Sequence, residues 1–289
     1  MTVHAPRSYE DARAIYIERV RQLDGGVSIL VNPGGTGKTA ISAGILKLMK
    51  DGLGKRIVTI GTKTNFTEAF GEYDHLTDAQ FVQQLKIINY VVSTLPTTQS
   101  REEERALFMD KLKEVEEKGL IIHHTLWNRP HTKTTEWDDE IPAQKVVLLG
   151  SMQFIDEPKK YIDPKEGQQA DVKAFALYIT QIRHLVAFDG KRMERSGLLM
   201  ATPRLIDINP DARNQLTWIG RTYCSCRRSG CEPGCDHRFM VQFREGTAEE
   251  GDSAAEQFQL NFDGPGLWRL YNSYTLPGFR AGLLDRIRL

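Results

Sequence analysis

The sequence predicts an α/β fold, a mainly parallel sheet sandwiched by helices with a small Cys-rich β excursion toward the carboxyl end. Three observations predict it. Short apolar, β-branched runs alternate with stretches of helical periodicity, as in βαβ units whose sheet is covered on both faces. One strand-like run passes through a glycine-rich turn straight into an apolar-periodic helix, Val27 to Lys50. All four cysteines fall in one short stretch, Cys224 to Cys235. With 40% hydrophobic and 26% charged residues the chain has ordinary globular composition, which excludes collagen, a coiled-coil rod and a disordered tail.

Residues 8–22 place Ala12, Ile15, Tyr16 and Val20 near one face at helical spacing and predict a short amphipathic helix, stopped at Asp24-Gly25-Gly26. Val27–Val31 (VSILV) reads as a buried strand. Asn32–Gly37 is turn chemistry, and Lys38–Lys50 a helix with Ile41, Ile45, Leu46 and Met49 as its apolar face. Arg56–Gly61 is a second strand. Residues 76–118 are mostly helical, and their charged stretch, with acid–base pairs at i, i+4 spacing, reads as a solvated face. Leu120–Leu126 is a third strand candidate and Asn128–Pro142 a polar loop. Lys145–Glu157 contains a strand ending in two acids. Asp171–His184 reads as helix, Ser196–Thr202 as strand and 211–220 as helix. Arg221–Glu245 is Cys-rich and then strand-like, and 246–256 is a small polar linker.

Lys+Arg and Asp+Glu both number 38, so net charge gives no support for nucleic-acid binding, although a local basic face remains open. No apolar run approaches the ~20 residues of a membrane span; the longest, Val146–Gly150 and Leu198–Ala201, are strand-sized. The amino terminus carries acids and no apolar h-region, so it is no secretory signal.

The turn Asn32-Pro33-Gly34-Gly35-Thr36-Gly37-Lys38-Thr39 sits between strand and helix, as a phosphate-binding loop requires. The usual first glycine is replaced by Asn32, a residue that tolerates left-handed geometry. Gly34, Gly35 and Gly37 permit positive φ and close backbone approach, so that successive N–H groups, including that of Thr36, surround an anion at a helix N-terminus. Lys38 supplies charge for the β- and γ-phosphates of ATP, and Thr39 a hydroxyl for Mg²⁺. Such a loop needs an acid at the end of a nearby strand. Asp156 fits the metal side and Glu157 the general base that polarises water. The competing pair Asp139-Glu140 follows no strand. Thr202, ending the strand at 196–202, is the candidate sensor of the γ-phosphate. The fold class narrows accordingly to a P-loop NTPase.

Four segments taken in order resemble the zonula occludens toxin family of filamentous-phage assembly ATPases, within the FtsK–HerA class of DNA-pumping P-loop ATPases. They are PGGTGKT with its flanking strands, FIDEPKKYIDP, GKRMERSGLLMATPRLIDINPDAR and GLWRLYNSYT. The resemblance implies a homo-oligomeric ring, commonly a hexamer, with ATP between subunits and an arginine inserted by a neighbour. Laid on the family phrase, that arginine is Arg192, with Arg195 as the alternative. The filamentous-phage proteins continue into a transmembrane helix and an outer domain, and the expectation here is of neither. A soluble relative, in the host cytoplasm or on the virion, would instead fill a preformed capsid with viral DNA, docking on a capsid or virion vertex protein.

Cys224, Cys226, Cys231, Cys235 and His237 place five soft ligands within one short span, with Gly230, Pro233 and Gly234 as turns. Tetrahedral Zn²⁺ needs four such ligands; two local disulfides or reduced thiols are the alternatives. Arg227 and Arg228 inside the loop suit phosphate contact. His123-His124 and the tryptophans read as packing, as do Phe262, Trp268 and Tyr271, whose other reading is base stacking. The expected organisation is an N-terminal helical arm (1–26), a P-loop ATPase core (27–220), a Cys-rich zinc-binding hairpin (221–245) and a C-terminal segment packing on the core (246–289). The expected function is an ATP-hydrolysing, DNA-translocating motor that packages a viral genome. The alternatives are a membrane-side assembly ATPase acting on proteins, and a non-motor NTP-binding module with a structural zinc.

Overall fold

The computed structural model describes residues 9–32, 37–61, 65–98, 100–118, 145–162, 170–188, 193–224, 238–246 and 256–271. Its elements are α1 (Tyr9–Arg21), β1 (Val27–Val31), α2 (Lys38–Leu53), β2 (Arg56–Ile60), β3 (Asp74–Leu76), α3 (Asp78–Thr94), α4 (Arg101–Lys118), β4 (Ser151–Asp156), α5 (Lys159–Ile162), α6 (Ala170–Gln181), β5 (Val186–Phe188), β6 (Met193–Arg195), β7 (Gly197–Thr202), α7 (Pro210–Arg213), β8 (Trp218–Cys224), β9 (Arg238–Glu245), β10 (Gln257–Asp263) and α8 (Gly264–Leu270).

One eight-stranded sheet carries the fold, in the order β10-β9-β8-β1-β7-β4-β2-β3. From β8 to β3 every pairing is parallel. Strands β9 and β10 extend the β8 edge antiparallel, and β5 and β6 form a separate antiparallel pair. Because successive strand side chains point to opposite faces, each central strand feeds two cores. Ile29, Val58, Ile155, Leu198 and Met200 meet α3 and α6 on one face, through Phe81, Leu85, Phe175 and Tyr178. Leu30, Ile57, Phe154 and Leu199 meet α2 on the other, through Ile41, Ile45, Leu46 and Met49. Val20 of α1 and Leu267 of α8 complete that second layer. The mainly parallel sheet between helix layers predicted from the sequence is therefore the architecture found.

Several local expectations are corrected. In the first helix Val20 is buried while Ile15 faces solvent at 37% exposure, so its apolar stripe is narrower than the spacing predicts. Residues 211–220 are not one helix. Asn209 caps a single turn at Pro210–Arg213, its side chain accepting from the Asp211 N–H at 2.8 Å. Thr217 then donates to the Val27 carbonyl at 2.7 Å, and Trp218 begins a strand beside β1. Aromatic and β-branched residues at Thr217-Trp218-Ile219 suit that pleated surface. The acid-bearing strand starts only at Ser151. In the apolar run before it, the Val147 N–H donates to Gln84 and the Val146 N–H to Glu116, at 3.0 and 2.6 Å. Backbone bonds that a strand would give to a neighbour go to helix side chains instead. The strands flanking the Cys cluster, β8 and β9, belong to the main sheet and pair with each other. The strand candidate at Leu120–Leu126 and the loop at Asn128–Pro142 lie outside the described residues, as do His123, His124, Trp127 and Trp137.

Candidate functional site

Three adjacent strands, β1, β7 and β4, end side by side at the carboxyl edge of the sheet: Val31 is in register with Thr202, and Ala201 with Asp156. The strand of the candidate sensor thus separates the strand that enters the glycine-rich turn from the strand of the acids. Gly34, Gly35 and Thr36 lie outside the described residues; the two ends of the turn lie within them.

At the entry end, Asn32 has no left-handed backbone, since Glu157 is the one non-glycine residue with positive φ among the described residues. The amide, and not left-handed geometry, accounts for asparagine here. Its Nδ2 donates to the backbone oxygen of Thr222 on β8, and lies 3.3 Å from the Thr222 hydroxyl. At the exit end, Gly37 has φ 76° and caps α2. A Cβ there would lie 2.7 Å from Cε1 of Phe239, so both conformation and space require glycine.

Lys38 and Thr39 open α2. The Lys38 ammonium turns back to donate to the Asn32 carbonyl at 2.7 Å. Burial lowers its pKa, an effect opposed by the carboxylates of Asp156 and Glu157. The Thr39 hydroxyl donates to Asp156 Oδ2 at 2.9 Å, joining α2 to the end of β4 across 117 residues of sequence. Burial raises the Asp156 carboxyl above the usual carboxylate range; the Thr39 hydrogen bond opposes this, neighbouring Glu157 adds to it and Lys38 opposes it.

Glu157, one residue beyond β4, is exposed and has φ 53°. Left-handed backbone costs an ordinary residue roughly 1–2 kcal/mol. Here it is held by the Glu157 N–H, which donates to the Ala201 carbonyl of β7 at 2.9 Å. Strain of this kind concentrates at functional positions. Thr202 is buried at 4% exposure, and its carbonyl accepts from the Asn32 N–H at 3.3 Å.

The structure thus brings together Lys38, Thr39, Asp156, Glu157 and Thr202. It does not bring Arg195 to them. Arg195 ends β6, just before β7 begins at Gly197, so the length of β7 separates it from Thr202, about 20 Å at the usual strand rise. Arg192 lies outside the described residues, as do Cys226, Cys231, Cys235 and His237. Cys224, ending β8, is half-buried. Among the described residues no group of three or more His, Cys, Asp or Glu side chains is placed to hold a metal ion. No helix among them is long and apolar enough to cross a membrane.

Two participants escape a reading of the sequence as a string. One is Thr222, the partner of Asn32. The other is Tyr271, which follows α8: burial raises its phenol pKa, the Asp156 carboxylate adds to this and Thr39 opposes it. An aromatic residue distant in sequence from the glycine-rich turn carries no local signal of that position.

No protein-family model matches the chain, and no curated protein matches it either. Solved structures similar to it include a genome packaging NTPase from Sulfolobus turreted icosahedral virus 2 in complex with AMPPCP, at 12% identity, covering 76% of this chain and 92% of that one, with a TM-score of 0.37. The N-terminal domain of zonular occludens toxin from Neisseria meningitidis is similar at 10% identity, covering 86% and 100%, with a TM-score of 0.40. ATPases 2 and 3 of EssC from Geobacillus thermodenitrificans are similar at 14% identity over 92% of this chain and 43% of that one, with a TM-score of 0.39.

Proposed function

We propose that this chain is a P-loop NTPase that hydrolyses ATP and couples the reaction to movement of nucleic acid, as a viral genome-packaging motor. The observation that carries the nucleotide reading is the 2.9 Å bond from Thr39 to Asp156, made where a glycine-rich turn enters a helix and beside a strained, exposed Glu157. A hydroxyl and a carboxylate converging at a helix N-terminus form a hard-oxygen donor pair that fits Mg²⁺. Burial of Asp156 makes an added cation there favourable. When bound, the ion neutralises charge on the phosphates.

Lys38 would leave the Asn32 carbonyl for the β- and γ-phosphates. Glu157 orients a water and takes its proton as the water oxygen bonds to γ-phosphorus and the bond to the β-phosphate oxygen breaks. Thr202, between the two strand ends, senses the γ-phosphate. Arg192, with Arg195 as the alternative, acts on the site of a neighbouring subunit in a ring; the distance of Arg195 from its own chain's site accords with action in trans. A nucleic-acid partner is favoured by a groove of about 780 Å³ along β8 and β9 that is lined by Arg213, Arg221 and Arg244. The Cys224–His237 cluster is read as a structural zinc knuckle, residues 246–289 as a segment closing the core, and the site of action as the host cytoplasm or the virion, at a capsid vertex.

The test is the ATPase rate of the purified chain with and without single- and double-stranded DNA, beside Glu157→Gln. DNA-stimulated turnover that is lost in the variant supports the motor. Turnover indifferent to DNA transfers the reading to an assembly ATPase acting on proteins. Nucleotide binding with no turnover under any condition leaves a non-motor module.

A further inference from the structure

The charged helix α4 is ion-paired along only part of its length. Among the described residues its ion pairs lie in the second half: Lys111–Glu114, Lys113–Glu117 and Lys118–Glu114, at 3.1, 3.6 and 3.0 Å. In the first half, Arg101 and Arg105 make no hydrogen bond or ion pair with another described residue through their side chains. They stand four residues apart on one helix face, where like charges oppose the helix.

Both arginines line a cavity of about 390 Å³ between the ends of α3 and α6 and the start of α4. That volume is within the range of small-ligand sites. Its apolar lining includes Phe108, Leu185 and Val186, all buried. Its polar side is open, with Arg101, Glu104 and His184 exposed. Gln181 also lines it, and the amide oxygen of Gln181 is buried with no hydrogen-bond partner among the described residues. Such an acceptor is costly until it meets a donor. The cavity lies away from the nucleotide site. The Leu185 carbonyl accepts from the Ser196 N–H at 3.3 Å, just before β7, and Thr202 ends that strand at the opposite edge of the sheet.

These groups specify a ligand. Two arginines against one acid, Glu104, favour an anion, and the planar guanidinium fork matches a carboxylate. The apolar lining suits an aliphatic side chain. The Gln181 oxygen calls for an N–H. An apolar residue at the carboxyl end of a peptide offers carboxylate, side chain and amide N–H together. The open side lets the preceding chain leave to solvent.

We propose that this cavity binds the carboxyl terminus of a partner peptide that ends in an apolar residue. Arg101 and Arg105 take the carboxylate, and Phe108 and Leu185 the side chain. The site is separate from the nucleotide site and does not depend on the nucleotide reading.

The test follows the fluorescence anisotropy of a labelled Gly-Gly-Ser-Leu peptide titrated with the full chain. Its carboxyl-terminal amide and a Gly-Gly-Ser-Gly peptide are the comparisons. The amide should bind roughly 5- to 50-fold more weakly, for loss of a hydrogen-bonded charge, and the glycine peptide about 10-fold more weakly. In the Arg101→Gln, Arg105→Gln double variant the acid peptide should fall to the affinity of the amide, while the amide binds as before. Equal binding of acid and amide by the unaltered chain overturns the proposal without any variant. So does a double variant that weakens both peptides alike, or no saturable binding of the acid peptide up to about 1 mM. Displacement of the peptide by an equal concentration of inorganic phosphate reduces the site to a plain anion site and overturns it too.

Discussion

Replacing Asn32 with glycine restores the residue most common at the first position of a phosphate loop, and on motif grounds alone it should be harmless. The structure predicts the opposite for stability. The Asn32 amide joins β1 to β8 through the Thr222 carbonyl and hydroxyl, and Thr222 is buried at 1% exposure. Each net hydrogen bond contributes about 0.5–1.5 kcal/mol, and the Asn32 amide makes two, one to the carbonyl and one to the hydroxyl. Added backbone freedom in the unfolded chain costs another 0.5–1 kcal/mol or so. The expected loss is about 2–3 kcal/mol, or roughly 4–10 °C in Tm for a chain of this size. Lys38 contacts the backbone carbonyl of residue 32, which glycine retains, so nucleotide affinity should change by less than about threefold, ~0.65 kcal/mol. Urea unfolding of Asn32→Gly and Asn32→Ala, with a nucleotide titration on each, checks both halves. A glycine variant as stable as the parent, with an unchanged denaturant slope, would refute the bridging role. A large loss of affinity in a still-folded variant would show that the amide serves the nucleotide directly.

Further outcomes are expected. Lys38→Met should abolish nucleotide binding while leaving the chain folded, as seen by an unchanged circular dichroism spectrum alongside a flat titration. Because the folded-state pKa of Asp156 is raised, the ionised carboxylate destabilises the metal-free fold at neutral pH. Asp156→Asn should therefore raise metal-free stability at neutral pH and weaken Mg²⁺-dependent nucleotide binding. The stability gain should fade as the pH falls through the raised pKa toward the ordinary carboxylate range, which denaturation midpoints at several pH values would follow. Gly44→Val should force α8 from α2 and cost about 1–3 kcal/mol; midpoints within error of the parent would count against the close approach. Elemental analysis of purified protein should find about one zinc per chain, lost in a Cys226→Ser, Cys231→Ser double variant, if the cluster is tetrahedral.

Local physics made much of the fold legible in the sequence. The apolar, β-branched run at Val27–Val31 and helical spacing at Ile41, Ile45, Leu46 and Met49 reflect which side chains must leave water, and both elements form where those patterns put them. The same holds for Ser151–Asp156 ending at its first acid. Where backbone bonds went to distant partners, local pattern misled. The run at Val146–Leu149 is apolar enough for a strand, but Gln84 and Glu116 take its N–H groups. Trp218–Gly220 can follow a helical turn in sequence, but the open edge of β1 draws it into the sheet.

The sequence by itself determined the secondary structure around the glycine-rich turn and the identities of Lys38, Thr39, Asp156 and Glu157, because a phosphate cradle and its acid are short-range patterns of residue type. Only the tertiary structure decided that β7 lies between β1 and β4, that Asn32 is held by Thr222, and that Thr39 reaches Asp156. Those contacts join residues separated by long stretches of chain. They depend on the order in which strands pair and on how closely helices pack, which no spacing within one segment encodes.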